Sequence, residues 1–190
     1  MGWGPRSFVT QIHSISHGKF SYCFPPIYQA ARGLPVFLRL DSDIPHYSDL
    51  TNTRLLRYGP DESYYANLFD MSINNMRLNI PLSYFQKGGP DISGCYFTRP
   101  LQRKPARGHE NLPLVNFHFE GNVDVVVKPE TSFHINSEYV HYEYICLVIV
   151  PCEGYGMTII GSKTQANKLF VYDIPAQRLY FGSRDCSQNP

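Results

Sequence analysis

Short runs of apolar and aromatic residues, broken by Gly, Pro and Asn or Asp turns, follow one another along the whole chain. Several runs alternate apolar with polar positions, a pattern typical of strands. Strands are predicted at residues 19–23, 36–40, 53–58, 63–81 (two strands around Asn74-Asn75), 112–120, 123–129, 143–151, 157–162 and 168–183 (a hairpin across Pro175-Ala176-Gln177). Residues 86–112 lack a period, and residues 161–169 predict one helical turn. The pattern predicts an all-β fold of about ten short strands.

The composition supports this fold class and excludes several others. The chain holds 14 Tyr, 12 Phe and 1 Trp, together with 14 Gly and 15 Pro, which excludes a helical bundle, a coiled coil and a collagen-like chain. Charged residues are only 17% and the net charge is +1, so neither nucleic acid nor an anionic membrane is expected as a partner. No apolar run is long enough to span a membrane.

Five cysteines are spread over the chain, and none lies in a Cys-x-x-Cys pair or at zinc-binding spacing. No metal site is therefore expected. No Gly-rich loop precedes a helix, so no nucleotide or other cofactor is expected either. Spaced cysteines in an aromatic, β-rich chain favour a secreted, disulfide-bonded protein. The first residues show no signal peptide, and this mismatch suggests that an N-terminal part is missing.

Candidate catalytic residues are present but form no motif. His118, His134 and His141 lie on predicted strands, and no Ser lies in a Gly-x-Ser-x-Gly turn, so structural roles are favoured over a Ser/His or Cys/His triad. A solvated surface is likewise favoured over a polyanion site for the basic loop of Arg99, Arg103, Lys104, Arg107 and His109.

Two acidic turns bear on acid–base chemistry. Aspartic proteases use two Asp residues, each in an Asp-Thr/Ser-Gly turn, that share one proton. Asp41-Ser42-Asp43 lacks the Gly, and Asp91-Ile92-Ser93-Gly94 carries one residue too many. Both are interpreted as ordinary turns.

A longer series of segments resembles one known family. GWGPRSFVTQI and GKFSYCF near the start are followed in order by LRYGPDESYYANLFDMSINNMRLNIP, LPLVNFHFEG, VVVKPE, ICLVIV, MTIIGSKTQAN and a final DC. This series resembles the C-terminal lobe of plant pepsin-like aspartic proteases of the nepenthesin kind. The same module occurs in plant xylanase-inhibitor proteins, which share the fold without protease activity.

The resemblance implies one incomplete all-β lobe over residues 1–190, built of short antiparallel strands. It also implies a psi-loop element at Thr158, Ile159, Ile160 and Gly161. The parent fold is bilobed, with one catalytic Asp in each lobe. Here the N-terminal lobe is absent, and an internal deletion at about residues 89–95 removes the second Asp turn, so no catalytic residue is assigned. Loss of a central strand and helix with this deletion should expose unpaired backbone edges and apolar surface.

The resemblance further implies two disulfide bonds, Cys95–Cys146 and Cys23–Cys186, with Cys152 unpaired. The alternative is that all five cysteines are reduced, because the chain shows no route into the secretory pathway.

Three functional alternatives stay open. The first is membership of the aspartic endopeptidase family, with proteolysis of protein or peptide substrates in a secreted, extracellular or apoplastic full-length parent, while this chain alone is inactive. The second is a non-catalytic, inhibitor-like module that binds a protein ligand through the lobe surface. The third is a decayed or truncated gene product.

Overall fold

The computed structural model describes residues 4, 6–26, 33–57, 63–82, 101–103, 107–139, 142–148 and 158–188. Its strands are β1 Lys19–Cys23, β2 Leu38–Leu40, β3 Thr51–Arg54, β4 Leu68–Ile73, β5 Met76–Arg77, β6 Leu101–Arg103, β7 Val115–Phe119, β8 Val123–Val127, β9 Phe133–Tyr139, β10 Tyr142–Leu147, β11 Lys168–Asp173 and β12 Arg178–Ser183. Its α-helices are single turns, α1 Phe8–Gln11, α2 His13–Ser16, α3 Pro129–Ser132 and α4 Ser162–Gln165. The protein is therefore an all-β protein, as predicted.

The chain divides into two compact units. Unit 1 comprises Met1–Leu68, Phe119–Val125 and Gln165–Pro190, and unit 2 comprises Phe69–His118 and Val126–Thr164. Unit 2 is thus inserted into unit 1 along the sequence.

Unit 1 is built on a five-stranded sheet in the order β2-β1-β11-β12-β3. Neighbouring strands are antiparallel, and the central pair joins Phe20 opposite Tyr172 and Cys23 opposite Leu169. Since side chains alternate between the two faces of a strand, β1 and β11 send aromatic residues to one face and small or aliphatic residues to the other.

The first face is an aromatic cluster. Phe20 stacks on Tyr172 with ring centroids 4.5 Å apart, and Tyr64 lies 4.9 Å from the same Tyr172 ring. The hydroxyls of Tyr22 and Tyr172 are hydrogen-bonded at 2.9 Å. Burial raises the pKa of Tyr64, Tyr172 and Tyr22 above the ordinary tyrosine value, so all three stay neutral at physiological pH.

The second face carries the aliphatic core. Leu169 and Val171 are buried beside the disulfide bond between Cys23 and Cys186, whose Cα atoms lie 5.3 Å apart. Partly buried side chains from the segment before β3 and from β12 pack on this core: Ile44, Tyr47, Leu50 and Tyr180.

Unit 2 contains the three-stranded sheet β6-β10-β9. A second sheet has the order β5-β4-β7-β8, and its strands contribute residues to both units. The turn from β4 to β5 is Asn74-Asn75, where φ is 48° and 65°. Positive φ at both central residues is the geometry of a tight hairpin turn that Asn tolerates well, which is why this hairpin was predictable.

The strand predictions differ from the structure at three places. β9 was not predicted, and β6 lies in the segment that was predicted to lack strands. Residues 158–161, predicted as a strand, form no strand, and the Ile159 side chain is 57% exposed. A strand requires a hydrogen-bonded neighbour, and an apolar run alone does not supply one.

One of the two implied disulfide bonds is present in the structure. Cys23 and Cys186 are bonded, which also overturns the alternative of five reduced cysteines. The Cys146 thiol is unbonded within the described residues, and its implied partner Cys95 lies outside them, so the pairing of Cys95 with Cys146 stays a prediction. Cys146 lies on β10 with His134 as its cross-strand neighbour on β9. Cys95 and Cys152 lie outside the described residues. The expected deletion at about residues 89–95 also lies outside them, so the interpretation of residues 1–190 as one incomplete lobe stays a prediction.

None of the helices in the described part of the chain has the length and apolar character needed to cross a membrane.

We expect the double variant Cys23→Ala/Cys186→Ala to lose about 3–5 kcal/mol of unfolding free energy, because the bond closes a very long loop in the unfolded chain. Urea denaturation followed by circular dichroism measures this loss. Cys146→Ala, which removes a free thiol, is the control and should lose about 1 kcal/mol or less. Equal losses in the two variants would contradict a structural role for the bond.

Candidate functional site

The first acidic turn, Asp41-Ser42-Asp43, forms a short 3-10 helix at the surface. Asp41 Oδ2 lies 2.9 Å from His17 Nδ1, and Asp43 Oδ1 accepts a hydrogen bond from Arg39 Nη1 at 3.2 Å. Each carboxylate faces a basic side chain instead of a second carboxylate. The turn is therefore structural, as predicted from its missing Gly. Asp91 of the second turn lies outside the described residues.

Asp70, on β4, is a buried carboxylate that sequence reasoning did not single out. Its Oδ1 accepts hydrogen bonds from the backbone N–H groups of Met71 at 2.8 Å and Ile80 at 3.2 Å. Its Oδ2 lies 3.5 Å from Arg77 Nη1. Burial by itself raises the pKa of Asp70, but these two N–H groups and Arg77 outweigh it and hold the pKa below its ordinary value. Asp70 is thus held as an anion.

Asp173, at the end of β11, is the second buried Asp within the described ranges. Its Oδ2 lies 3.6 Å from Lys19 Nζ, and its Oδ1 accepts a hydrogen bond from the Ala176 backbone N–H at 3.0 Å. The charge of Asp173 is the main cause that raises the pKa of Lys19. This carboxylate therefore fastens the β11–β12 turn to β1.

The two buried carboxylates are unsuited to aspartic-protease chemistry. That chemistry requires one ionised and one protonated carboxylate that share a water molecule. Asp70 and Asp173 each form an ion pair with a basic side chain and accept backbone N–H groups. In this arrangement basic side chains and backbone N–H groups occupy the oxygens of both carboxylates.

A Ser–His contact lies within unit 2. Ser72 Oγ is 3.0 Å from His118 Nε2, and Asn116 Nδ2 donates to the same Oγ at 3.3 Å. Ser72 is 1% exposed and His118 is 4% exposed, so no substrate carbonyl can reach the hydroxyl. Side chains alternate along β7, so Asn116 and His118 lie on the same face of this strand. Together with Ser72 they form a buried polar network that joins β4 to β7. It favours the structural interpretation of His118.

The remaining predicted residues do not converge. His134 is exposed on β9, and Arg107 and His109 lie in a turn before β7, while His141, Arg99 and Lys104 are outside the described residues. Arg103 lies on β6. Residues 158–161 precede α4 without forming a strand, and their psi-loop role stays a prediction. Within the described ranges, no three His, Cys, Asp or Glu side chains form a group that could hold a metal ion.

A small cavity lies beside the disulfide bond in unit 1. Its volume is about 10 Å³, and it is lined by Ser21, Cys23, Phe37, Arg39 and Cys186, among others. The buried Ser21 Oγ has no hydrogen-bond partner within the protein. A cavity of this size holds one water molecule at most and offers no room for an organic cofactor.

The described part of the chain is an all-β arrangement of antiparallel sheets in which the two buried Asp residues are each paired with a basic side chain. The sequence model of the family described as xylanase inhibitor C-terminal matches residues 89–183, half of the chain. The chain belongs to this family, which is a C-terminal lobe of pepsin-like proteins.

A solved structure with the same fold is basic 7S globulin from soybean. The TM-score is 0.69 at 14% sequence identity, and the match covers 97% of this chain and 57% of the globulin chain. At this identity the similarity shows the fold, and the chain spans just over half the length of that protein. A search of curated proteins found no match.

Asp70 generates a prediction about pH. Because its folded-state pKa lies below its ordinary value of 3.8, ionised Asp70 stabilises the fold above that pH. The stabilisation is lost as the pH falls through the folded-state pKa. We expect Asp70→Asn to lose about 1.5–3 kcal/mol of unfolding free energy at pH 7. The difference from wild type should shrink as the pH falls below about 4.

Chemical denaturation at a series of pH values measures this difference. Asp49→Asn is the control, because Asp49 is 60% exposed and lies 3.8 Å from Arg184, so it should change stability by less than about 1 kcal/mol. A difference between Asp70→Asn and wild type that does not depend on pH would contradict the assigned role.

Proposed function

We propose that this chain is a non-catalytic lobe of the plant pepsin-like family. The observation that carries the proposal is the absence of any Asp-Thr-Gly or Asp-Ser-Gly sequence from all 190 residues. The ion pairs of Asp70 and Asp173 support it, because each commits a buried carboxylate to a basic partner. These two carboxylates, the buried Asp residues of the described ranges, are therefore not arranged to hold a water molecule between them.

The same proposal excludes proteolysis by this lobe when it is paired with a second lobe. The chain corresponds to 57% of the soybean globulin chain, so a full-length relative has room for a second lobe. A second lobe contributes at most one carboxylate, and the dyad requires two. Pairing two copies of this chain adds no catalytic turn either.

The purified chain should not cleave peptides. We expect no cleavage above background in a broad peptide library between about pH 3 and 5, with or without pepstatin, since neither carboxylate of the dyad is supplied. The variant Asp91→Asn tests Asp91-Ile92-Ser93-Gly94, the segment most similar to an Asp-Ser-Gly turn. Pepstatin-sensitive cleavage that disappears in Asp91→Asn would overturn the proposal and make Asp91 a displaced catalytic residue.

A second candidate function is inhibition of an enzyme by surface binding. The family match favours this function, because the description of the matched family is xylanase inhibitor C-terminal. A disulfide bond sealed beneath Tyr47 and Tyr180 supports a lobe that works in an oxidising, extracellular setting. In this candidate the lobe binds a glycosidase as a folded surface and performs no chemistry.

Inhibition is tested by titrating the chain into an assay of an endo-xylanase on soluble xylan. We expect a saturable fall in xylanase activity that depends on the intact disulfide bond, so Cys23→Ala/Cys186→Ala should inhibit less and Cys146→Ala should inhibit as wild type does. Unchanged xylanase activity at a large molar excess of the chain would contradict this candidate.

A further inference from the structure

Four charged residues form one row across the unit 1 sheet. The strand registers place Lys19 opposite Asp173, Asp173 opposite Arg178, and Arg178 opposite Arg54. Directly opposed residues share one face of a sheet, so the row carries three positive charges and one negative charge on the same face.

Asp173, the one acidic residue of the row, is paired with Lys19 at one end of the row. Asp173 pairs with Lys19 at 3.6 Å and accepts the Ala176 backbone N–H. Neither Arg178 nor Arg54 forms an ion pair with any acidic residue in the described part of the chain. Glu120, which approaches β3 through its backbone carbonyl, has its carboxylate bonded to Asn67 at 2.8 Å. Two guanidinium groups are therefore left without an anion.

Arg54 and Arg178 form the type of cross-strand pair in which the two side chains are closest to each other. Leu55 N–H donates to Gln177 O at 2.9 Å, which makes residues 55 and 177 a hydrogen-bonded pair. The adjacent pair, Arg54 and Arg178, is consequently non-hydrogen-bonded, where Cα atoms lie about 4.5 Å apart and side chains approach most closely. Like charges at such a position repel and destabilise the sheet. Both side chains are exposed, so a ligand can reach them.

We propose that Arg54 and Arg178 form a binding site for a phosphate or sulfate group. Each planar guanidinium can donate two parallel N–H bonds to a pair of oxygens, and a tetrahedral oxyanion offers oxygens to both arginines at once. A phosphate group carries nearly two negative charges at neutral pH, which matches two arginines. A carboxylate carries one charge and a single oxygen pair, so it satisfies only one of them. Arg57, exposed three residues further along, adds positive charge to the same end of β3.

The test is an NMR titration of the full chain, labelled with nitrogen-15, against inorganic phosphate and separately against sulfate, at ionic strength matched with sodium chloride. We expect saturable shifts of the amides of residues 51–57 and 177–180. Arg54→Gln and Arg178→Gln should each weaken binding at least tenfold. Arg6→Gln removes one exposed arginine elsewhere in unit 1 and should bind within twofold of wild type.

A second readout guards against misfolded variants. Removing one arginine relieves repulsion, so Arg54→Gln should unfold at the same temperature as wild type or a higher one in chloride, and should lose the extra stabilisation by phosphate. Equal phosphate binding by wild type and both variants would overturn the proposal, as would shifts that match those in chloride. A response to sulfate alone, or to phosphate alone, identifies which ester group the ligand carries.

Discussion

The antiparallel pairing of β1 with β11 is the interaction on which unit 1 depends. It brings together segments about 150 residues apart, and the other strands of the five-stranded sheet extend from it on both sides, β2 next to β1 and β12 with β3 beyond β11. Both faces of the pair are covered, by the aromatic cluster on one side and by the disulfide core on the other. The same pairing aligns Lys19 with Asp173 and so begins the charged row. Closing so long a loop is entropically costly, and the burial on both faces together with the disulfide bond offsets that cost.

The parts of the fold that depend on neighbouring residues, such as tight turns and strand ends, could be predicted from the sequence. The Asn74-Asn75 turn was predictable because Asn accepts positive φ, and β1 because its aromatic alternation ends at two prolines. Residues 158–161 failed for the opposite reason, since the apolar run is present but no hydrogen-bonded neighbour accompanies it. β9 was missed because its polar residues conceal the period.

The charged residues were harder to predict than the strands. Asp70 looks unremarkable in sequence, and its importance comes from Arg77 and from the N–H of Ile80, which only the folded hairpin brings to it. Arg54 and Arg178 are far apart in the chain, and their opposition depends on the register of β12 with β3. Sequence comparison established the family, while the partners of the two buried carboxylates required the structure.

The disulfide bond between Cys23 and Cys186 also determines how the molecule responds to mechanical force. It joins residues separated by 163 positions, so nearly the whole chain forms a loop closed by one covalent link. Tension applied to the chain outside this loop is carried across the sulfur–sulfur bond, and it does not stretch the polypeptide between Cys23 and Cys186. Unit 2 and most of the unit 1 sheet lie inside this loop. As long as the bond is oxidised, the residues between Cys23 and Cys186 are therefore protected from unfolding by tension applied outside the loop.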